Sequence, residues 1–269
     1  MAVSDYTGLT TRTERWAVTG DLLLNGHTLD HYFVDSADGW ITVGAAEPAT
    51  AYKTVPGRAG ALDLSLVDMT GAAFPGNRTI TFEVVASGDD MEITEAKLAI
   101  GALAGKQATL QWRTLPGHFA GRLTVGAWTD THVGRRAVQS TCTLTLTASP
   151  YLVGATEVVE LYAGENPRTI KGNSVTRPAF SWTDTDDPNS DITKNASFYV
   201  KAYPQLKLEV SWKCGQTPLL ADCANRRWTV EGHQLVLPLA SSWLALPPGD
   251  VVICASQTVT MTYVPYWLI

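Results

Sequence analysis

Charge is scarce in this chain. Asp, Glu, Lys and Arg make up 17% of its 269 residues, and 26 acidic against 20 basic residues leave a net charge of −6. That balance excludes the basic stripe with which most proteins hold nucleic-acid phosphates. Cysteine is rarer still: Cys142, Cys214, Cys223 and Cys254 have no Cys-x-x-Cys spacing and no neighbouring histidine, which argues against a zinc site. Cys214 and Cys223 are close enough in sequence to bridge a loop, but a chain made in a reducing compartment is expected to keep them as buried thiols. No apolar run approaches the roughly 20 residues needed to cross a bilayer, and the start MAVSDYTGLTTRTERW lacks the basic head and apolar core of a secretion signal. Synthesis in the cytoplasm without membrane association is the expectation.

Catalytic motifs are missing as well. The five histidines, His27, His31, His118, His132 and His233, fall in no metal-binding or triad spacing, and the chain contains no Gly-x-Ser-x-Gly elbow, P-loop or dinucleotide fingerprint. Glu157 and Glu160 sit at the start of a strand pattern, where they read as solvent-facing charges rather than the acid pair of a glycosidase. The expectation is a protein that is not an enzyme and carries no cofactor.

What is present is β-structure. With 45% hydrophobic residues, the chain can bury one large or two medium cores. Asn25-Gly26 after Leu22-Leu23-Leu24 is a hairpin-closing dipeptide. Strands are expected at Trp16-Ala17-Val18 and at Trp40 to Val43, followed by an extended, Ala-rich arm from Gly44 to Thr54. Pro56-Gly57 fixes one backbone torsion and frees the next, predicting a tight turn with Arg58 at its tip. Leu62, Leu64 and Leu66, then Ile80, Phe82 and Val84, alternate as in half-buried strands. Cys142, Leu144 and Leu146 alternate with Thr141, Thr143, Thr145 and Thr147, which gives that strand one apolar and one hydroxyl-bearing face. One stretch breaks the rhythm. Residues Asp89 to Lys106 place Asp89 and Glu92 at capping-box spacing and Ile93, Ala96, Ile100 and Leu103 on one helical face, so a single helix is expected over about 89–105. Beyond Tyr151 the pattern stays β-like, with Leu206, Leu208, Val210 and Trp212, Leu235 and Leu237, and Val259, Met261 and Tyr263 alternating, and Pro247 to Asp250 preparing a last hairpin.

Several of these segments carry a resemblance. Val55-Pro56-Gly57-Arg58-Ala59-Gly60, followed by Asn77-Arg78-Thr79-Ile80-Thr81-Phe82, resembles the signature of the distal tail (Dit) proteins of long-tailed bacteriophages, with Ala59 where an acidic residue is usual. Leu103-Ala104-Gly105-Lys106, Phe119-Ala120-Gly121-Arg122 and Ser149-Pro150-Tyr151 resemble further family segments, the last with Ser in place of Asp. The resemblance implies an all-β fold with one helix: a ring-forming belt domain over 1–151 and a galectin-like β-sandwich over 152–269. It implies a structural virion protein made in the host cytoplasm and resident in the phage tail. Six copies would form a ring joining the tail tube protein to the hub or tail-associated protein of the baseplate or tail tip, with the tape measure protein as a further partner. DNA would pass through the lumen without specific binding, along a wall expected to be acidic.

Three residue groups stand out as candidate sites. Inter-subunit contacts are expected at Arg58, Asp63 and Arg78, and Arg78 has the alternative of pinning a turn in its own chain. Asp184, Asp186, Asp187, Asn189 and Asp191 gather oxygen ligands that could hold Ca²⁺, although the spacing is not that of an EF-hand and Pro188 interrupts it. Trp182, Trp212, Trp228 and Trp243 could stack on sugar rings if exposed, or fill a core. The rival readings are accordingly a carbohydrate-binding module engaged in host-wall adsorption, and another β-rich tail component such as a tube protein.

Overall fold

The computed structural model describes residues 22–37, 41–56, 59–67, 73–112, 114–186, 192–238 and 241–269. The strand expected at Trp16 to Val18 and the position of Trp40 lie outside them. The chain divides into two compact units between Leu152 and Val153, and the fold is all-β with one α-helix.

The first unit is built on one antiparallel sheet. Its strands are β1 (Leu22–Leu24), β2 (His27–Thr28), β3 (Asp35–Ser36), β4 (Thr42–Val43), β7 (Arg78–Ser87), β8 (Gln107–Trp112), β9 (Gly117–Val133) and β10 (Arg136–Ala148). They run in the order β2-β1-β8-β9-β10-β7-β3, and β4 pairs with β7 beside β3. The hairpin signal at Asn25-Gly26 is realised: both residues have positive φ, 54° and 78°, as the two-residue turn between β1 and β2 requires. Period-two alternation sorts the side chains. Ile80, Phe82, Val84, Leu110, Phe119, Leu123, Cys142, Leu144 and Leu146 are buried on one face, while the alternating threonines of β10 point the other way.

The buried face is covered by helix α1 (Asp90–Gly101) and a 3-10 turn (Leu29–Tyr32). Asp89 caps α1 as its spacing predicts: its carboxylate accepts from the N–H groups of Met91 and Glu92, both at 2.9 Å, while Glu92 Oε2 accepts from Asp89 N at 2.9 Å. Ile93, Ala96 and Ile100 are the buried stripe. The helix stops at Gly101 rather than near 105, because residues 102–106 tighten into i→i+3 turns from Leu103 N to Ile100 O and from Lys106 N to Leu103 O. Gly105 then turns with φ 73° so that its N–H reaches Leu123 O at 2.8 Å on β9. Strands β9 and β10 form the longest hairpin, bent by register shifts at Ala137/Gln139 and Cys142/Leu144.

The second unit is a two-sheet sandwich. After β11 (Leu152–Gly154) come β12 (Glu157–Leu161), β13 (Gly164–Ile170), β14 (Ala179–Trp182), β15 (Thr193–Val200), β16 (Lys207–Lys213), β17 (Leu219–Asp222), β18 (Arg227–Val230), β19 (His233–Leu235), β20 (Gly249–Ala255), β21 (Val259–Tyr263) and β22 (Tyr266–Trp267). One sheet has the order β12-β21-β14-β17-β18-β19 and the other β13-β20-β15-β16. Their inner faces meet in one core, where Phe180 of the first stacks on Phe198 of the second at 4.4 Å and 7°. Pro247 to Asp250 does not set up a last hairpin. It opens β20, which pairs with β13 and β15, whereas β21 pairs with β12 and β14 in the opposite sheet. Leu235 also departs from its alternation and is exposed, because β19 is a sheet edge.

The capping box makes a simple test. Asp89→Ala removes both acceptor bonds at the start of α1 and is expected to cost about 1 kcal/mol of stability, read as a lower midpoint in urea denaturation at unchanged slope.

Candidate subunit interface

Between β4 and β7 the chain leaves the sheet and makes an arm over residues 44–76. Its root is fixed by close contact: Gly44 N donates to Thr79 O at 2.8 Å, and a Cβ at Gly44 would lie 2.8 Å from that same oxygen. Beyond the root the arm pairs with itself. Gly76 N reaches Glu47 O at 2.7 Å and Ala49 N reaches Phe74 O at 2.8 Å, while β5 (Tyr52–Thr54) and β6 (Ala61–Asp63) align Tyr52 with Asp63 and Thr54 with Ala61. Of the turn predicted at Pro56-Gly57, Gly57 lies outside the described residues. Farther along, Leu64 N donates to Ala51 O at 2.7 Å and Phe74 N to Leu66 O at 3.1 Å. These bonds pair the described backbone of the arm with itself.

The arm's side chains are another matter. Tyr52 is 65% exposed, Leu64 52% and Leu66 76%, and Val67 and Phe74 are also exposed. The Leu62, Leu64, Leu66 alternation expected of a half-buried strand is thus corrected. The strand ends at Asp63; Leu62 within it is half-buried, whereas Leu64 and Leu66 beyond it face solvent. Isolated surface leucines are ordinary, whereas several exposed large apolar side chains on one short ribbon are a feature of interaction surfaces.

The three residues expected to make contacts have different fates. Arg58 lies outside the described residues. Asp63 is exposed on the arm, where its carboxylate accepts from the Ser65 hydroxyl at 2.5 Å and from Ser65 N at 2.9 Å, and these bonds hold it below the usual carboxylate range. The Ser65 hydroxyl in turn accepts from Ala51 N at 2.9 Å, so Asp63 braces the bend that presents Leu64 and Leu66. Arg78 is corrected as a surface contact. It is 2% exposed at the start of β7, with its guanidinium 5.4 Å from the centre of the Phe119 ring, and burial lowers its pKa. It pins the root of the arm within its own unit. Tyr52 lies in the Gly44 to Thr54 arm, where the resemblance implies a contact with a neighbouring subunit. The residues that sequence reasoning missed are Leu64, Leu66, Val67 and Phe74, and for the first three the signal was an apolar row on a short segment bounded by Gly60 and Gly71.

In the second unit, the candidate calcium loop holds an internal cation. Asp184, Asp186 and Cys214 bring ligand atoms within 4.8 Å of one another. Lys194 Nζ occupies the position, 2.8 Å from Asp184 Oδ1 and in direct contact with Asp186 Oδ2. Asp184 is 4% exposed, and its second oxygen accepts from Trp212 Nε1 at 2.8 Å and Gly215 N at 3.1 Å. Burial alone would raise its pKa. The hydrogen bonds from Lys194, Trp212 and the N–H groups of Asp186 and Gly215 outweigh that and hold the carboxyl well below its ordinary value, while the two carboxylates push Lys194 up. Asp187, Asn189 and Asp191 lie outside the described residues. At Asp184 and Asp186 the Lys194 ammonium supplies the positive charge that a calcium ion would bring.

Of the four tryptophans, Trp212 and Trp228 take the core-filling alternative, while Trp182 and Trp243 are half-buried against the same core. Trp212 and Trp228 are buried in the sandwich core, and Trp182 stacks on Trp228 at 5.5 Å and 17° with Trp212 edge-on at 5.5 Å. Trp243 packs against the same core. All four cysteines are buried free thiols, and burial pushes the Cys223 thiol up to about 12.

No protein-family model and no curated protein matches the chain. Among solved structures, the Dit protein of phage SPP1, described as a paradigm of the hub adsorption apparatus in phages infecting Gram-positive bacteria, superposes with a TM-score of 0.60. The match covers 92% of this chain and 99% of that one at 16% identity. The chain has the Dit fold. Two structures of the phage p2 baseplate in its activated conformation, with strontium and with calcium, align at 12% and 11% identity with TM-scores of 0.36 and 0.33, each over 85% of this chain and 92% of that chain. Among the described residues of the first unit, the arm carries five exposed large apolar side chains: Tyr52, Leu64, Leu66, Val67 and Phe74.

The Asp184 site gives a pH prediction. Its depressed folded-state pKa contributes stability that is present above the unfolded value and lost as pH falls through the folded one. Wild type should lose stability on acidification from about pH 4 to pH 2. Asp184→Asn should be less stable at neutral pH and change less across that range, as followed by tryptophan fluorescence.

Proposed function

We propose that this chain is a structural protein of a bacteriophage tail tip, a distal tail protein whose copies close into a six-membered ring. The observation that carries this reading is the self-paired arm with its uncovered apolar row on a Dit fold. A protein that needed no partner would lose nothing by replacing Leu64 and Leu66 with polar residues, whereas a ring subunit uses them to hold the next copy. Seated on a different surface of the next copy, the arm makes a head-to-tail contact, and repeated head-to-tail contacts that return to their start make a closed ring.

In this role the ring joins the tail tube to the hub or tail-associated protein of the baseplate, contacts the tape measure protein, and gives DNA a passage during ejection. The protein does its work in the virion by assembly, with no catalytic step. The glycan-binding alternative is weakened by the positions of Trp212 and Trp228, whose faces are spent on the sandwich core.

The test is to disrupt the row. A buried leucine contributes about 1.5–3 kcal/mol, so Leu64→Asp with Leu66→Asp should weaken association by about a hundredfold or more. In sedimentation velocity the wild-type chain should form a ring and the double variant a monomer with an unchanged circular dichroism spectrum. Equal assembly of both would reject the arm as the contact.

A further inference from the structure

Two histidines of the first unit meet on its surface. His27 and His31 are four residues apart, a separation that brings side chains together on a helix. Here a strand and a turn make the same meeting, with His27 in β2 and His31 in the 3-10 turn Leu29–Tyr32. Their rings stack with centres 4.2 Å apart and planes at 19°. The Tyr32 ring stands edge-on to both, at 6.5 Å and 82° from His27 and at 4.9 Å and 84° from His31. Both histidines are exposed, whereas Leu29 and Tyr32 of the same turn are buried.

The backbone beneath the pair is fixed from two sides. Leu24 of β1 is opposite His27 in the β1–β2 register, and the Tyr32 hydroxyl donates to the carbonyl oxygen of that same Leu24 at 3.1 Å. Asn25 N donates to Thr109 O at 2.8 Å and Asn25 Oδ1 accepts from Thr109 N at 2.9 Å, which ties the hairpin to β8. Phe33 N, donating to Asp30 O at 2.9 Å, and Val34 N, donating to Leu29 O at 3.3 Å, close the 3-10 turn. Side chains on anchored backbone lose little freedom when they share a ligand. The charge around them is one-sided: between Leu22 and Ala37 the chain has Asp30 and Asp35 and no lysine or arginine.

We infer that His27 and His31 form a surface site for a divalent transition ion of the zinc, nickel or copper class. Neutral imidazole is a favoured ligand of these ions, whereas calcium and magnesium take oxygen. Two nitrogens held by one such ion, each at about 2.0–2.1 Å, lie about 3 Å apart. Opening the stack by rotation of the exposed rings brings the pair to that spacing. Among the described residues the pair belongs to no group of three protein ligands. The remaining positions on the ion are left to water or to a group from another molecule, which makes the site open rather than closed. An ion held there ties the 3-10 turn to the β1–β2 hairpin, so it favours the folded first unit and stabilises it by mass action.

The test is calorimetric titration of the full chain, free of any affinity tag, with nickel chloride and with zinc chloride. His27→Ala and His31→Ala are compared with His132→Ala and His233→Ala, which alter exposed histidines elsewhere. The expected result is one ion per chain for the wild type and for the His132 and His233 variants. Each of the His27 and His31 variants should lose that binding while keeping the wild-type circular dichroism spectrum. The thermal midpoint of the wild type should rise with nickel chloride and stay put with calcium chloride, and the rise should vanish in both single variants. A wild-type chain that takes up neither ion, or uptake that survives either His27→Ala or His31→Ala, would overturn the site. None of these outcomes bears on the ring, which the Leu64→Asp/Leu66→Asp pair tests separately.

Discussion

The structure depends on main-chain hydrogen bonding that closes within the arm. A segment leaving a sheet usually exposes N–H and C=O groups that must find partners. Here residues 47–54 pair with 61–64 and with 74–76, and the bend is braced by Asp63, Ser65 and Ala51. With the backbone settled, side-chain composition is free to serve something outside the unit, and Leu64 and Leu66 are left uncovered. Behind the arm, Arg78 on Phe119 and the close approach of Gly44 to Thr79 fix where it departs. A ribbon held at its root and paired along its length presents apolar groups at low entropic cost on binding.

The same economy explains why the chain looks empty of chemistry. Its buried polar residues are spent on holding the fold. Asp184 is one case, bound by Lys194, Trp212 and Gly215. Asn166 is another, accepting from Tyr162 N at 2.9 Å and donating to Tyr162 O at 2.8 Å where β12 passes into β13. Groups held this tightly by their own unit have little left to offer a substrate or a metal ion.

Much of the fold was legible from local patterns. The Asn25-Gly26 hairpin, the Asp89–Glu92 capping box and the threonine alternation on β10 each depend on residues within a few positions of one another, and each took its expected form. The likeness to distal tail proteins, read from Val55 to Phe82, agrees with a fold match that spans nearly the whole chain. What could not be read was whether anything lies over a face. Leu62 to Leu66 and Leu208 to Trp212 have the same period-two pattern, yet the first row is open and the second forms the sandwich core. Periodicity defines a side, and only tertiary packing decides whether it is covered. The partner of the acidic loop was illegible for a related reason: its cation, Lys194, arrives from β15, outside the acidic cluster.

The central claim is that copies of this chain close into a ring through their arms. Native mass spectrometry of the purified wild-type chain, with negative-stain images of the same sample, tests it most directly. The account predicts a species of six chains of 29.0 kDa each and round particles with six-fold symmetry. A closed dimer, or tubes that lengthen with concentration, would contradict it.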